Sequence, residues 1–461
     1  MRLVVAVVAL AALASLASAQ SFVRVNGGVI ALTHVRVIDG TGAPARANQT
    51  IVIRNGLIEA VGDFGKVTVP PAASYQDLPG HTVIPGLVGM HEHLFYPSGH
   101  GVPVYIEHAL SFPRLYLASG VTTARTAGGL EVQTDLTVKK WIDEGRYTGP
   151  DMHITAGYLE GPGSFTPQML ELRGPEDAKA FVEYWAGLGA TSFKAYMHIT
   201  RAELGAAIVA AHARGLKVTG HLCSVGFREA AGLGIANLEH GLIVDGELAP
   251  GKKPDECPNV NAAVLEALDV ASEPVRQTIR ELVQHHVAVT STLAVFEAAP
   301  PLQQRFLDAL SPQNAAEYKA ARERLPEASK KLSAMRVAKE QQFERAFVKA
   351  GGLLMAGADP TGNGSALAGF ADQRNIELLV DGGFTPAEAI RIATLNGAQF
   401  LGFGKRIGSV EAGKQADLVV IEGDPSSRIA DIENVRIVFR KGIGYDSAKL
   451  LESVRGMVGL H

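Results

Sequence analysis

The stretch VIPGLVGMHEHLFYP, residues 83–97, places His91 and His93 on either side of Glu92 at the end of a short apolar run. On a strand, alternate side chains share a face, so the two imidazoles converge while Glu92 points away. Neutral imidazole is the commonest protein metal ligand, although paired histidines also serve as core or surface residues that hydrogen-bond locally. Other residues with ligand chemistry end further apolar runs: Lys194 in SFKAY, His221 in VTGHLC, His240 in NLEHG and Asp359 in AGADP. Each alone has a bland explanation, and it is their recurrence at run ends that points to a shared site. In SFKAY, alternation puts Ser192, Lys194 and Tyr196 on one face, with Phe193 and Ala195 on the other. A bare inward-facing ammonium carries a large desolvation cost. Carboxylation of the Lys194 amine by carbon dioxide would give an anionic carbamate able to bridge two cations; a lysine snorkelling to a rim or paired with a carboxylate is the alternative.

The elements that must position these residues follow from the run pattern. Residues 29–69 read as short β-runs with turns, Asn55-Gly56 being a hairpin signal. After Ile84, apolar runs alternate with helical patterns. The eight runs are GLVGMHEH, GVTTARTAG, DMHITAGY, ATSFKAYMH, LKVTGHLC, IANLEHG, HVAVTSTLA and GGLLMAGAD. This predicts an α/β fold, a closed (β/α)8 TIM barrel over 85–403. Catalytic groups of such barrels sit at the C-terminal strand ends, where the candidate residues fall. Thr200 and Glu203 form a capping-box pattern ahead of a helix over LGAAIVAAHARG. Residues 301–350 are charge-rich and predict two solvated helices that could project as a lid. Both chain ends have β character, which predicts a small composite β-sandwich from 22–84 and 404–461.

With 47% apolar and 20% charged residues and a formal net charge of -4, the 461-residue chain reads as globular, with no basic field for nucleic acid. Residues 1–19 have the layout of a signal peptide: an early Arg2, a short apolar core and Ala17-Ser18-Ala19. The expectation is a secreted or periplasmic protein with no membrane attachment after cleavage, a permanent anchor being the alternative. Two cysteines, Cys223 and Cys257, could form one disulfide in an oxidising compartment.

PGLVGMHEH, FKAY, VTGHLC, NLEHG, AGADP and the closing GSVEAGKQADLVVIEGDP resemble the amidohydrolase superfamily over nearly the whole chain after residue 19, and most nearly its secreted imidazolonepropionase-like and prolidase-like members. The resemblance implies a barrel with the composite β-sandwich and a one- or two-metal site, usually zinc. Carried over, His91, His93 and Asp359 would hold the first metal, His221 and His240 the second, and carboxylated Lys194 would bridge them. TARTAGG departs from many relatives, which have aspartate at the position of Thr126. PTGNGSALAGFADQRN, after Asp359, has no histidine to contact a substrate.

The implied reaction is hydrolysis of a carbon–nitrogen bond in a small amide, a dipeptide or an N-acyl amino acid. Two divalent cations about 3.5–4 Å apart would bring a bridging water's pKa toward 7 and polarise the carbonyl. Asp359 would shuttle the proton to the departing amine, and Tyr196, if not simply a core tyrosine, would donate to the oxyanion. His153 and His198 read as structural, and Cys223 as packing or a disulfide partner. A single-metal cyclic-amide hydrolase or deaminase, with no metal role for Lys194, is the alternative within catalysis. A non-catalytic metal-binding scaffold is the alternative outside it. Self-association stays open.

Overall fold

The computed structural model describes residues 21–98, 104–361 and 364–460. The signal-peptide expectation therefore lies outside the described residues. From the N-terminal side come β1 (Val23–Val25), β2 (Val29–Val37), β3 (Arg46–Arg54), β4 (Leu57–Asp63), β5 (Ser74–Asp77) and β6 (His81–Pro85). The parallel strands are β7 (Leu87–Glu92), β10 (Val121–Thr126), β11 (Asp151–His153), β12 (Thr155–Leu159), β13 (Ser192–Ala195), β14 (Lys217–Gly220), β15 (Asn237–Glu239), β16 (Ala288–Ser291) and β17 (Leu354–Ala356). A hairpin, β8 (Phe95–Ser98) and β9 (Val104–Glu107), follows β7. The chain closes with β18 (Leu418–Glu422), β19 (Val435–Arg440) and β20 (Ile443–Asp446).

The two chain ends meet: β1–β6 and β18–β20 form one nine-stranded mixed sheet. Ile30, Leu32, Ile51, Ile53, Leu418, Val420, Ile437 and Phe439 belong to an apolar cluster of its own. Hydrogen bonds join all nine strands of the two chain ends into a single sheet. β6 then runs through Gly86 into β7, so close to Thr122 that a Cβ at Gly86 would overlap its side chain. Glycine is required there.

Each of the eight sequence runs contains strand, with one revision. The third splits into β11 and β12 around Ile154. β11 pairs with β10, and β12 with β13, so the parallel strands form a three-stranded sheet β11-β10-β7 and a six-stranded sheet β12 to β17. The expected closed barrel is thus not one continuous ladder. Hydrogen bonds span the breaks. Thr126 Oγ1 accepts from Thr155 N at 2.8 Å, joining β10 to β12, and Asp359 N donates to His91 O at 2.8 Å, joining the end of β17 to β7.

Register fixes which faces carry the candidates. Lys194 pairs with Thr219 and Ser291 with Ala356, so successive strands end at similar heights. Phe193 is fully buried in the same apolar cluster as Ala207 and Ile208 of the helix Arg201–His212, which turns Lys194 to the other face. That helix starts with the anticipated Thr200–Glu203 capping box. Residues 301–350 contain three helices, Gln304–Ala309, Pro312–Glu323 and Glu327–Lys349. The last is not simply solvated: it buries Val337, Glu340, Phe343, Glu344 and Phe347. These buried positions recur at three- to four-residue spacing and so share one stripe facing the core, two of them glutamates.

Candidate active site

The strand ends converge on a cavity of about 280 Å³ whose wall includes His91, His93, Lys194, Tyr196, His221, His240 and Asp359. The structure thus brings all seven sequence candidates to one place. The larger space beside residues 130–185 holds none of the histidines, so chemistry rather than size marks the first cavity. His153 and His198 stand apart. His153 packs its ring 5.0 Å from Phe403, and His198 Nδ1 lies 3.4 Å from Glu160.

His91, His93 and Asp359 form the tightest group, their ligand atoms all within 4.8 Å of one another. His93 Nδ1 lies 3.0 Å from the Gly128 carbonyl, which only accepts, so the proton sits on Nδ1 and the Nε2 lone pair faces inward. His91 Nδ1 is 2.9 Å from Glu239 Oε2, which orients His91 in the same way. Both Nε2 atoms then face Asp359 Oδ1, at 3.7 Å from His91 and 3.4 Å from His93. Lone pairs aimed at a carboxylate repel unless a cation lies between them, so this donor set fits a divalent metal.

His240 and His221 stand beside that group. Their ring centroids are 4.5 Å apart, and His91 lies 4.6 Å from His240. His240 Nδ1 is 2.6 Å from Thr292 Oγ1, and its Nε2 is 3.7 Å from Asp359 Oδ2. Lys194 Nζ lies 3.4 Å from His91 Nε2. Burial, then the Lys194 charge, pushes His91 down to about 4 and His221 to about 3, so both are neutral at pH 7. Burial lowers the Lys194 ammonium to about 8, against the pull of Glu239 and Asp359, so a fraction of its amine is unprotonated near neutrality.

Two backbone strains aim this set. His240 has φ 68° and Asp359 φ 44°, the left-handed region that side chains other than glycine rarely enter. At His240 the reversal lets two consecutive residues work at the same site. Glu239 reaches His91 from the strand, and His240 turns into the cavity.

Arg125 and Glu239 were not singled out by the sequence reading. Arg125 is 1% exposed, and its NH2 donates to Glu239 Oε1 at 2.9 Å and to Thr219 Oγ1 at 2.8 Å. Glu239 is fully buried; burial raises its carboxyl, but Arg125, Lys194 and His91 together hold it well below the usual range. An arginine near the end of the strand-like run VTTART and a glutamate within the short strand-like run NLEHG were the available signals, since buried charges occur in pairs. Thr126, the position that departs from the resemblance, accepts from Thr155 N at 2.8 Å. Thr361 Oγ1 donates to Asp359 Oδ1 at 2.7 Å, the contact supplied by the histidine-free segment. Cys223, just past His221, is disulfide-bonded to Cys257.

With this geometry in view, comparison with known proteins defines the class. The chain belongs to the amidohydrolase family, whose sequence profile matches residues 82–443. An imidazolonepropionase of Desulfotalea psychrophila is 39% identical over 61 residues, which span 13% of this chain and only 15% of that protein. A crystal structure of a Xaa-Pro dipeptidase with bound methionine superposes with TM-score 0.69 at 21% identity, covering 91% of this chain and 100% of that one. Ochratoxinase of A. niger gives TM-score 0.66 at 18% identity, covering 93% and 99%. Likeness at that identity shows a shared fold.

Proposed function

We propose that this protein is a metal-dependent hydrolase of carbon–nitrogen bonds in small amides, with dipeptides and N-acyl amino acids as the first substrates to test. One observation carries the reading: the inward-facing lone pairs of His91 and His93 meet the Asp359 carboxylate, beside His221, His240 and Lys194, on the wall of one cavity. Family membership and the dipeptidase-like fold support it. On this reading the two parallel sheets are the wall of one interrupted (β/α)8 barrel. The nine-stranded sheet is its companion domain.

His91, His93 and Asp359 would hold one divalent ion, taken as zinc, and His221 and His240 a second, with carboxylated Lys194 between them. When bound, such ions make water nucleophilic near pH 7 and polarise an amide carbonyl. The chain's own residues do the rest. Glu239 and Gly128 fix the histidine tautomers. Asp359 takes the proton released by the attacking water and returns it to the amine nitrogen, so that amide and water become carboxylic acid and amine. Tyr196, half-buried beside His221, would donate its phenol to the carbonyl oxygen. The Cys223–Cys257 pair supports the export expectation, since disulfides persist in oxidising compartments.

The test counts metal in native protein and in Lys194→Ala, and profiles both on dipeptides and N-acyl amino acids. Two ions falling to one or none in the variant, with amide turnover in the native protein, is the expected result. Tightly held metal without turnover of any amide, ester or cyclic substrate would point to a scaffold instead.

A further inference from the structure

The metal-ligand candidates occupy only part of the cavity wall. Much of the remainder is a chain of aromatic rings drawn from separate segments. Phe95 of β8 stacks on His93, with centroids 4.4 Å apart. Tyr105 of β9 meets Phe95 edge-on at 5.3 Å, and Phe165 meets Tyr105 edge-on at 6.1 Å. Phe165 lies 6.0 Å from Tyr196, which contacts Tyr158 at 4.8 Å and His221 at 4.9 Å. On the opposite side Phe296 approaches His240 edge-on at 5.6 Å. The collar thus starts and ends on candidate metal ligands.

Two features distinguish it from ordinary core packing. Its rings line the cavity beside the candidate metal ligands, and although Phe95 and Tyr158 are buried, Phe165 is 43% exposed for a large apolar side chain. It is also held in place by polar bonds that do not depend on apolar burial. Gln168 Nε2 donates to Tyr105 O, and Gln168 Oε1 accepts from Tyr105 N, both at 2.9 Å, tying the Phe165 loop to β9. Glu171 Oε1 accepts from Gly163 N at 2.8 Å and Ser164 N at 2.9 Å, setting the turn that presents Phe165. A collar organised before binding loses little entropy when a ligand enters.

We infer that this collar selects substrates with a planar aromatic group next to the scissile carbon–nitrogen bond, such as aroyl amides or amides of aromatic amino acids. The substrate class deepens the amide-hydrolase reading and rests on it. Aromatic rings attract one another through edge-to-face contacts that a saturated ring of the same size cannot make. A ligand ring entering the cavity against the inward faces of Tyr105, Phe165 and Tyr196 would extend the series of ring contacts already present. Each such contact is worth roughly two- to tenfold in affinity.

The test compares benzamide with cyclohexanecarboxamide, which have the same carbon count. Affinities are measured by calorimetry on metal-free and zinc-loaded full-length protein, in native form and in Phe165→Leu and Tyr105→Leu. Benzamide should bind about tenfold more tightly to the native protein, and the ratio should fall toward one in both variants while metal content is unchanged. Phe165 is half-exposed, so its replacement leaves the core packed, and melting curves check that both variants fold. Equal affinities in the native protein, or a ratio unaffected by both substitutions, would overturn the inference. In parallel, kcat/KM for N-benzoylglycine against N-(cyclohexanecarbonyl)glycine should favour the aromatic substrate. Equal turnover of the two would also overturn the inference while leaving the amide-hydrolase reading intact. Absence of all turnover would remove that reading, and the calorimetric ratio would still decide whether the collar recognises rings.

Discussion

Replacing Glu239 by glutamine keeps the side chain's size and removes one buried negative charge. In the native protein that carboxylate accepts from Arg125 NH2 at 2.9 Å and from His91 Nδ1 at 2.9 Å, and neither partner reaches bulk water. The substitution leaves the Arg125 guanidinium buried without its counter-charge. Losing one partner of a buried ion pair costs about 3–5 kcal/mol. Arg125 keeps its bonds to Thr219 Oγ1 and Met90 O, which places the expected loss near the lower end, about 3 kcal/mol. The His91 tautomer also loses its anchor, and such second-layer changes weaken metal binding by about 10–100-fold. Urea unfolding of metal-free protein measures the first effect, and competition with a zinc chelator the second. The double variant Arg125→Met, Glu239→Gln removes both charges, so it should regain much of the stability but none of the metal affinity. A single variant that loses less than about 0.5 kcal/mol and holds zinc as before would refute the claim that this pair anchors the site.

Asp359→Asn should lower turnover by about 10²-fold or more while circular dichroism stays native, because amide nitrogen cannot carry the proton; wild-type rates would refute the shuttle role. Gly241 has φ 74°, and a Cβ there would overlap the Glu340 carboxylate, which accepts from Ile243 N at 3.1 Å. Gly241→Ala should therefore cost roughly 2 kcal/mol in denaturant unfolding. Reducing the Cys223–Cys257 bond, which spans 34 residues, should lower stability by up to about 4 kcal/mol, read as a shift in urea midpoint with and without reductant. Burial, then the Lys139 charge, pushes His153 down from 6.5 to about 4. Its folded pKa is depressed, so its contribution to stability is complete above pH 6.5 and is lost as pH falls toward 4, about 3 kcal/mol in all. His153→Phe should flatten the stability profile in that window, and an unchanged slope would contradict the assignment.

Local chemistry made much of this legible before any contact was known. Alternation around Glu92 is enough to put His91 and His93 on one face, and alternation around Phe193 is enough to turn Lys194 inward. Both follow from the two-residue period of a strand. The Thr200–Glu203 cap and the eight apolar runs are equally local.

What escaped the sequence depended on residues far apart along the chain. Nothing near Arg125 announces Glu239, which lies 114 residues away, and nothing near Cys223 selects Cys257. The reversal at His240 defies strand alternation, because the cavity demands both its ring and the preceding carboxylate. The split at Ile154, and with it one of the two breaks in the ladder, follows the pairing of β11 with β10 and of β12 with β13. The Glu327–Lys349 helix looked solvated by composition, yet Glu340 is buried where it accepts the Ile243 amide. Sequence fixes which faces and which charges exist, since those arise from backbone geometry and covalent structure. Tertiary packing alone decides which charges meet, because burial makes an unpaired one too costly to keep.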